Sequence, residues 1–188
     1  MLPEIDFFTI RPYRNSQSSA FEELCCQLAG DDQLTEEVVS FNRKGPGADG
    51  GIECFAQHLD GTETGWQVKY YRDMASAITS LDESLNKALI THPNMSRFIA
   101  CFPIDLADSR KPNVTTALSR WESWRTKRIA TAALTGRSIE IERWDAFEIK
   151  KRLTTSNPAS AGRVLYWFHQ VLFTHDWFIE KFARSKAG

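Results

Sequence analysis

Residues 45–69 read Gly45-Pro46-Gly47-Ala48-Asp49-Gly50-Gly51-Ile52-Glu53-Cys54-Phe55-Ala56-Gln57-His58-Leu59-Asp60-Gly61-Thr62-Glu63-Thr64-Gly65-Trp66-Gln67-Val68-Lys69. A turn rich in glycine leads into a segment with the two-residue period of a strand. Ile52, Cys54 and Ala56 fall on one face, Glu53 and Phe55 on the other. Asp60-Gly61 is a strong hairpin-turn signal. Residues 65–71 form the return strand, with Trp66, Val68 and Tyr70 on one face and Gln67 and Lys69 on the other. Two acids, a side-chain amide and a lysine are thus delivered to adjacent strands.

Outward from this hairpin the pattern alternates between helix and strand. Residues 18–29 carry Phe21, Leu24, Cys25 and Leu28 at i, i+3, i+4 and i+7, one apolar helical stripe. Ser18 or Ser19 suits the cap and Glu22 or Glu23 the first turn, and Asp31-Asp32 break the pattern. Residues 36–42 read as a short strand. Residues 73–91 are helical, with Met74, Ala77, Ile78, Leu81, Leu85 and Leu89 inward and Pro93 beyond the end. Arg97 to Pro103 is a nearly continuous apolar run, as in a buried central strand. Residues 113–134 form a long helix, with Val114, Leu118, Trp121 and Ile129 inward, Arg120, Lys127 and Arg128 outward, and Gly136 as the stop. Residues 138–142 alternate as another strand, and 145–153 give a short helix. Thr154 to Gly162 reads as a polar linker, and the aromatic-rich stretch from Val164 to Phe182 as one or two amphipathic helices. The order implies an α/β sandwich with a central mixed β-sheet flanked by helices. Residues 1–155 form its core and 156–188 a helical extension that packs on the core or leads to a further domain.

The 188-residue chain suits one domain with a sizeable core, and its net charge of −1 excludes a polycation. A nucleic-acid ligand would therefore be held by a local basic patch. Cys25, Cys26, Cys54 and Cys101 form no CxxC pair and have no histidine at zinc-finger spacing. They read as buried small hydrophobes in a reducing compartment. His58, His92, His169 and His175 show no triad or metal spacing. The tryptophans read as core or interface groups. No signal peptide or membrane-length apolar run is present, so the expected location is cytoplasmic, away from membranes.

The hairpin residues suit metal-assisted phosphodiester hydrolysis. Mg²⁺ takes oxygen ligands from one or two carboxylates and leaves its remaining positions to water and substrate phosphate. Asp49 or Glu53 suits the carboxylate role. The Gln67 side-chain carbonyl and the Val68 backbone carbonyl suit the neutral positions. Lys69 is placed to orient or deprotonate the attacking water and to balance charge on phosphorus. Arg43 and Lys44 beside the glycine turn, and Arg72 after the return strand, are candidate phosphate contacts. The glycines of the turn allow a nucleic-acid strand to come close.

The ordered set of Phe21-Glu22, Gly47-Ala48-Asp49-Gly50-Gly51-Ile52-Glu53 and Trp66-Gln67-Val68-Lys69-Tyr70 resembles the PD-(D/E)xK nuclease superfamily. Within it, the chain is most similar to the Mrr-like restriction endonucleases, whose motif runs roughly Gly-Asp-Gly-Gly-Ile-Asp and then Gln-x-Lys. It also looks like the N-terminal effector nuclease of bacterial antiphage proteins, including STAND-type NTPases and cyclic-nucleotide-activated (CBASS-type) endonucleases. The motifs cover about residues 17–75, and the aromatic tail resembles the end of such effector domains more weakly.

The resemblance implies a restriction-endonuclease-like sandwich that cleaves double-stranded DNA with Mg²⁺ or Mn²⁺. By position, Glu22 matches the helix glutamate that supports the metal site, Asp49 the acid of the glycine turn, Glu53 the strand acid, and Gln67 and Lys69 the Gln-x-Lys pair. Glu53 departs from the usual Asp by one methylene, which leaves Asp49 or Glu53 as principal ligand. Gln67 is neutral, so the metal site rests on fewer charges. No P-loop GxxxxGK(S/T) or sensor segment is found, so an effector module is expected, active as a homo-oligomer. A nuclease-like module that binds nucleic acid or a partner protein without cutting is the second reading.

Overall fold

The computed structural model describes residues 5–33, 37–44, 50–106, 108, 114–155, 158–170, 179 and 182. Asp49, Gly45 and Gly47, together with Phe173, His175, Trp177 and Phe178 of the aromatic tail, lie outside these described residues. A 3-10 turn (Phe7–Thr9) precedes α1 (Gln17–Asp32), followed by β1 (Val38–Arg43), β2 (Cys54–His58), β3 (Glu63–Val68), α2 (Met74–Thr91), β4 (Met95–Cys101), α3 (Ala117–Leu134), β5 (Glu140–Trp144), α4 (Ala146–Leu153) and α5 (Pro158–Phe168). The strands form one sheet in the order β1-β2-β3-β4-β5, antiparallel from β1 to β3 and parallel from β3 to β5. The fold is α/β, a five-stranded mixed sheet flanked by helices, as the residue pattern implies.

Side-chain alternation along the strands supplies a core to each face. Cys54, Ala56, Trp66, Val68, Ile99, Cys101 and Trp144 pack with α1, α4 and α5. Phe98, Ala100 and Ile141 face the other way and pack with α2 and α3. β4 reads as an apolar run because both of its faces are buried. The Asp60-Gly61 turn closes as expected: Gly61 takes φ +83°, and the His58 N–H donates to the Thr62 carbonyl at 2.9 Å. Gly136, at φ +76°, ends α3. No helix among the described residues is long and apolar enough to cross a membrane.

Several local expectations are corrected. Ser16, not Ser18 or Ser19, caps α1, its hydroxyl accepting from the Ser19 N–H at 3.2 Å. Asp31 and Asp32 stay within α1 because arginines reach them from later elements, Arg163 to Asp31 and Arg152 to Asp32 at 2.9 Å. Ile52 packs with Met95 and α2, opposite to Cys54 and Ala56, because β2 begins only at Cys54 and Ile52 lies in the bend before it. Val114 is outside α3 and exposed. Arg128 lies against the protein, paired with Asp82 at 3.3 Å. The stretch 154–162 is no linker throughout: α5 starts at Pro158, a residue that suits the first helical turn. Its Val164, Trp167 and Phe168 join the core shared with α1 and α4.

Candidate active site

Glu53 lies in the bend that enters β2. Its N–H donates to the Trp66 carbonyl and its own carbonyl accepts from the Lys44 N–H, both at 2.8 Å, so the residue is locked between β1 and β3. Cys54 pairs with Trp66, and the next step of that register sets Glu53 beside Gln67. The contact is direct: the Gln67 amide donates to Glu53 Oε1 at 2.9 Å and to the Val68 carbonyl at 3.3 Å. Gln67 is almost completely buried, and it alternates with Trp66 and Val68, which fill the core on α1's side of the sheet. Lys69 follows directly, half-buried, its N–H bonded to the Cys101 carbonyl at 2.8 Å.

Glu22 completes the cluster from α1. Its neighbours Phe21, Leu24 and Cys25 are fully buried, and this anchors the helix face that carries it. The Glu22 carboxyl lies within hydrogen-bonding reach of the Glu53 carboxyl. Burial, then that hydrogen bond and the repulsion of Glu53, push Glu22 from its ordinary value of 4.5 to about 7, with Arg43 pulling weakly the other way. Two acids held close together are a feature that a divalent ion would relieve, and carboxylate and carbonyl oxygens are the donors a hard cation takes. The present Gln67 rotamer directs its amide nitrogen at Glu53 and Val68, so seating an ion there involves turning the amide to offer its oxygen. Among the described residues, no group of three or more histidine, cysteine, aspartate or glutamate side chains is arranged to hold a metal.

The remaining residues of the sequence reading divide by position. Arg43 is bound to Glu23 at 2.6 Å. The Lys44 ammonium occupies the space a side chain at Gly50 would need. Arg72 is exposed, stacked over the Phe8 ring at 4.2 Å. Gly51, at φ +78°, has its open side against the Ser84 carbonyl and Ala88 backbone of α2, and the Thr91 hydroxyl donates to the Gly50 carbonyl at 2.7 Å. At these two positions the close approach that glycine permits is to Lys44 and to α2. The four cysteines are buried, with Cys25 beside Cys101 and Cys26 beside Cys54. Burial raises the Cys25 and Cys54 thiols well above their ordinary range, which suits inert core groups.

A groove of about 1010 Å³ lies at the other end of the sheet among His58, Thr64, Arg97 and Glu140, and touches none of Glu22, Glu53, Gln67 or Lys69. Within it, His58 bonds the Thr64 hydroxyl and Asp60 accepts from Thr62. The approach of Glu22 to Glu53 could not be read from the chain, because α1 reaches the hairpin only through tertiary packing. No family model matches this chain, and no curated protein or solved structure matches it significantly. A functional assignment therefore rests on the chemistry of the acid pair and the strand that carries Gln67 and Lys69.

Proposed function

We propose that the protein is a divalent-metal-dependent endonuclease that hydrolyses phosphodiester bonds of double-stranded DNA. The observation that carries the reading is the Glu22–Glu53 carboxyl pair bonded to Gln67, two residues before Lys69. Mg²⁺ or Mn²⁺ would be held by Glu53 and Asp49, with the Gln67 side-chain oxygen and the Val68 carbonyl, and would supply positive charge to the substrate phosphate. Glu22, its carboxyl pKa raised to about 7 by burial and by Glu53, would position the Glu53 carboxylate. Lys69 orients the attacking water, and its ammonium offsets charge on phosphorus as the new P–O bond forms and the ester P–O bond breaks. The residue resemblance to Mrr-like nucleases supports the same reading, and extends it to an effector module of antiphage defence that acts when it self-associates.

Plasmid nicking with Mg²⁺ or Mn²⁺ tests this. Wild type should nick, and Lys69→Ala should lose the activity while remaining folded. Equal nicking by both proteins would remove Lys69 from the mechanism. A second reading, a nuclease-like module that binds without cutting, is favoured by one observation: the Gln67 amide already satisfies Glu53 and the Val68 carbonyl internally. Calorimetric titration with Mn²⁺ separates the two, since a silent module need not bind the ion.

A further inference from the structure

We propose that Arg11, Arg14 and Arg72 form a preformed ridge that grips the phosphate backbone of double-stranded DNA beside the acid pair. The ligand class rests on the hydrolytic reading above, and the assignment of these residues rests on their own geometry.

The first observation is backbone strain. Arg14 and Asn15 have φ of 51° and 62°, at the tip of a two-residue turn closed by Tyr13 N–H to Ser16 carbonyl at 3.1 Å and the reverse bond at 3.0 Å. Two successive positive φ values favour Asn-Gly, and a long side chain there is strained. The strain holds an exposed arginine at the tip of the turn, next to the cap of α1.

The second observation is stacking. Arg14 lies over the Tyr13 ring at 5.2 Å, Arg11 over Tyr166 at 4.9 Å and Arg72 over Phe8 at 4.2 Å. A ring under the face of a guanidinium fixes its plane and leaves the N–H edge for bidentate bonds to phosphate oxygens. All three arginines are exposed, and no salt bridge among the described residues joins any of them to an acid. Asp6 is the nearby carboxylate, and it accepts from the Phe8 N–H at 2.8 Å. Other arginines among the described residues are committed to acids: Arg97 to Glu142, Arg143 to Glu122 and Asp145, Arg152 to Asp32 and Glu148.

The third observation is continuity with the site. Tyr166 packs on Trp167, which packs on Tyr13, and the Arg11 N–H donates to the Trp167 carbonyl at 2.8 Å. Phe8 packs on Tyr70, the residue after Lys69. Phe21, the neighbour of Glu22, packs on both Phe7 and Tyr70 at 5.4 and 5.5 Å. The rings beneath the guanidiniums are covered by them, so the surface offers cations to a backbone rather than open faces to splayed bases.

Fluorescence anisotropy with a labelled 20-base-pair duplex in EDTA, over a series of salt concentrations, tests the ridge. The variant Arg11→Ala/Arg14→Gly/Arg72→Ala should bind more than tenfold more weakly at low salt. The slope of log K against log salt should become shallower by about 2–3, near 0.9 for each phosphate that the variant no longer neutralises. Arg120→Ala, which removes an exposed arginine on α3, should leave both unchanged. Arg14→Gly alone should weaken binding yet raise the thermal midpoint, because it removes charge and strain together, and this separates the ridge from a folding role. Wild-type affinity and slope in the triple variant, an equal effect of Arg120→Ala, no duplex binding by wild type, or tighter binding of single-stranded DNA would each overturn the proposal. Nicking is scored separately: a wild type that binds duplex through these arginines but never nicks removes the hydrolytic reading and leaves the ridge in place.

Discussion

The two ends of the hairpin treat buried polar groups in opposite ways. At the turn end and across the neighbouring strands, opposite partners meet: His92 with Glu63 at 2.8 Å, Arg97 with both oxygens of Glu142, His58 with the Thr64 hydroxyl at 2.8 Å. At the other end, Glu22 and Glu53 face each other, with a neutral amide as the bonded neighbour of Glu53. Opposite pairing is what a fold does to satisfy polar groups. Gathering like charge costs stability and persists where a ligand compensates it. The like-charged end around Glu22 and Glu53 is where the proposed hydrolytic function would place its ligand.

The comparison can be broken most sharply in activity. Lys69→Ala should lower plasmid nicking by about a hundredfold or more, whereas Arg97→Ala at the paired end should leave nicking within about twofold, on the order of experimental scatter. A supercoiled-plasmid assay reads both. The scaffold behind the acid pair comes next. Gly51→Ala forces a side chain into the backbone of α2 at a positive φ, and should cost about 3 kcal/mol in urea unfolding.

Titration sharpens the contrast further. The folded Glu22 binds a proton up to about pH 7 that an unfolded glutamate releases near 4.5. Its contribution to stability is therefore full below 4.5 and is lost as pH rises through 7. Wild-type stability in EDTA should fall between pH 5 and 8. Glu22→Gln should flatten that fall, and Mg²⁺ at pH 8 should restore the stability that wild type loses. A slope unchanged by Glu22→Gln in urea melts would show that the acid pair is not strained. The smallest effect belongs to the paired end: Glu142→Gln weakens a partly exposed ion pair with Arg97 and should cost about 1 kcal/mol, with no dependence on divalent metal.

Much of this architecture was legible in the chain because period and turn chemistry are local. The alternation of 52–59 and 65–71 with Asp60-Gly61 between them gave the hairpin and brought Glu53 near the return strand, while the register that sets it beside Gln67 comes from the strand pairing itself. What could not be read was set by distant partners. Asp31 and Asp32 look like a helix stop until Arg163 and Arg152 arrive from α5 and α4. Asn157-Pro158 looks like a linker, yet Pro158 opens a helix whose Trp167 is core. The Arg14 turn carries no Asn-Gly signal, since arginine sits where asparagine is expected and Asn15 where glycine is. In the site, the hairpin was local and readable, whereas the approach of Glu22 to Glu53 depends on α1 docking against the sheet.

The central claim is that the Glu22–Glu53 end binds a divalent cation. Mn²⁺ titration by calorimetry at pH 8 tests it most directly, with wild type and Glu53→Gln side by side. The account predicts a saturable site in wild type that weakens at pH 6, as the proton competes, and is lost in Glu53→Gln. Absence of binding in wild type, or equal binding by Glu53→Gln, would contradict it.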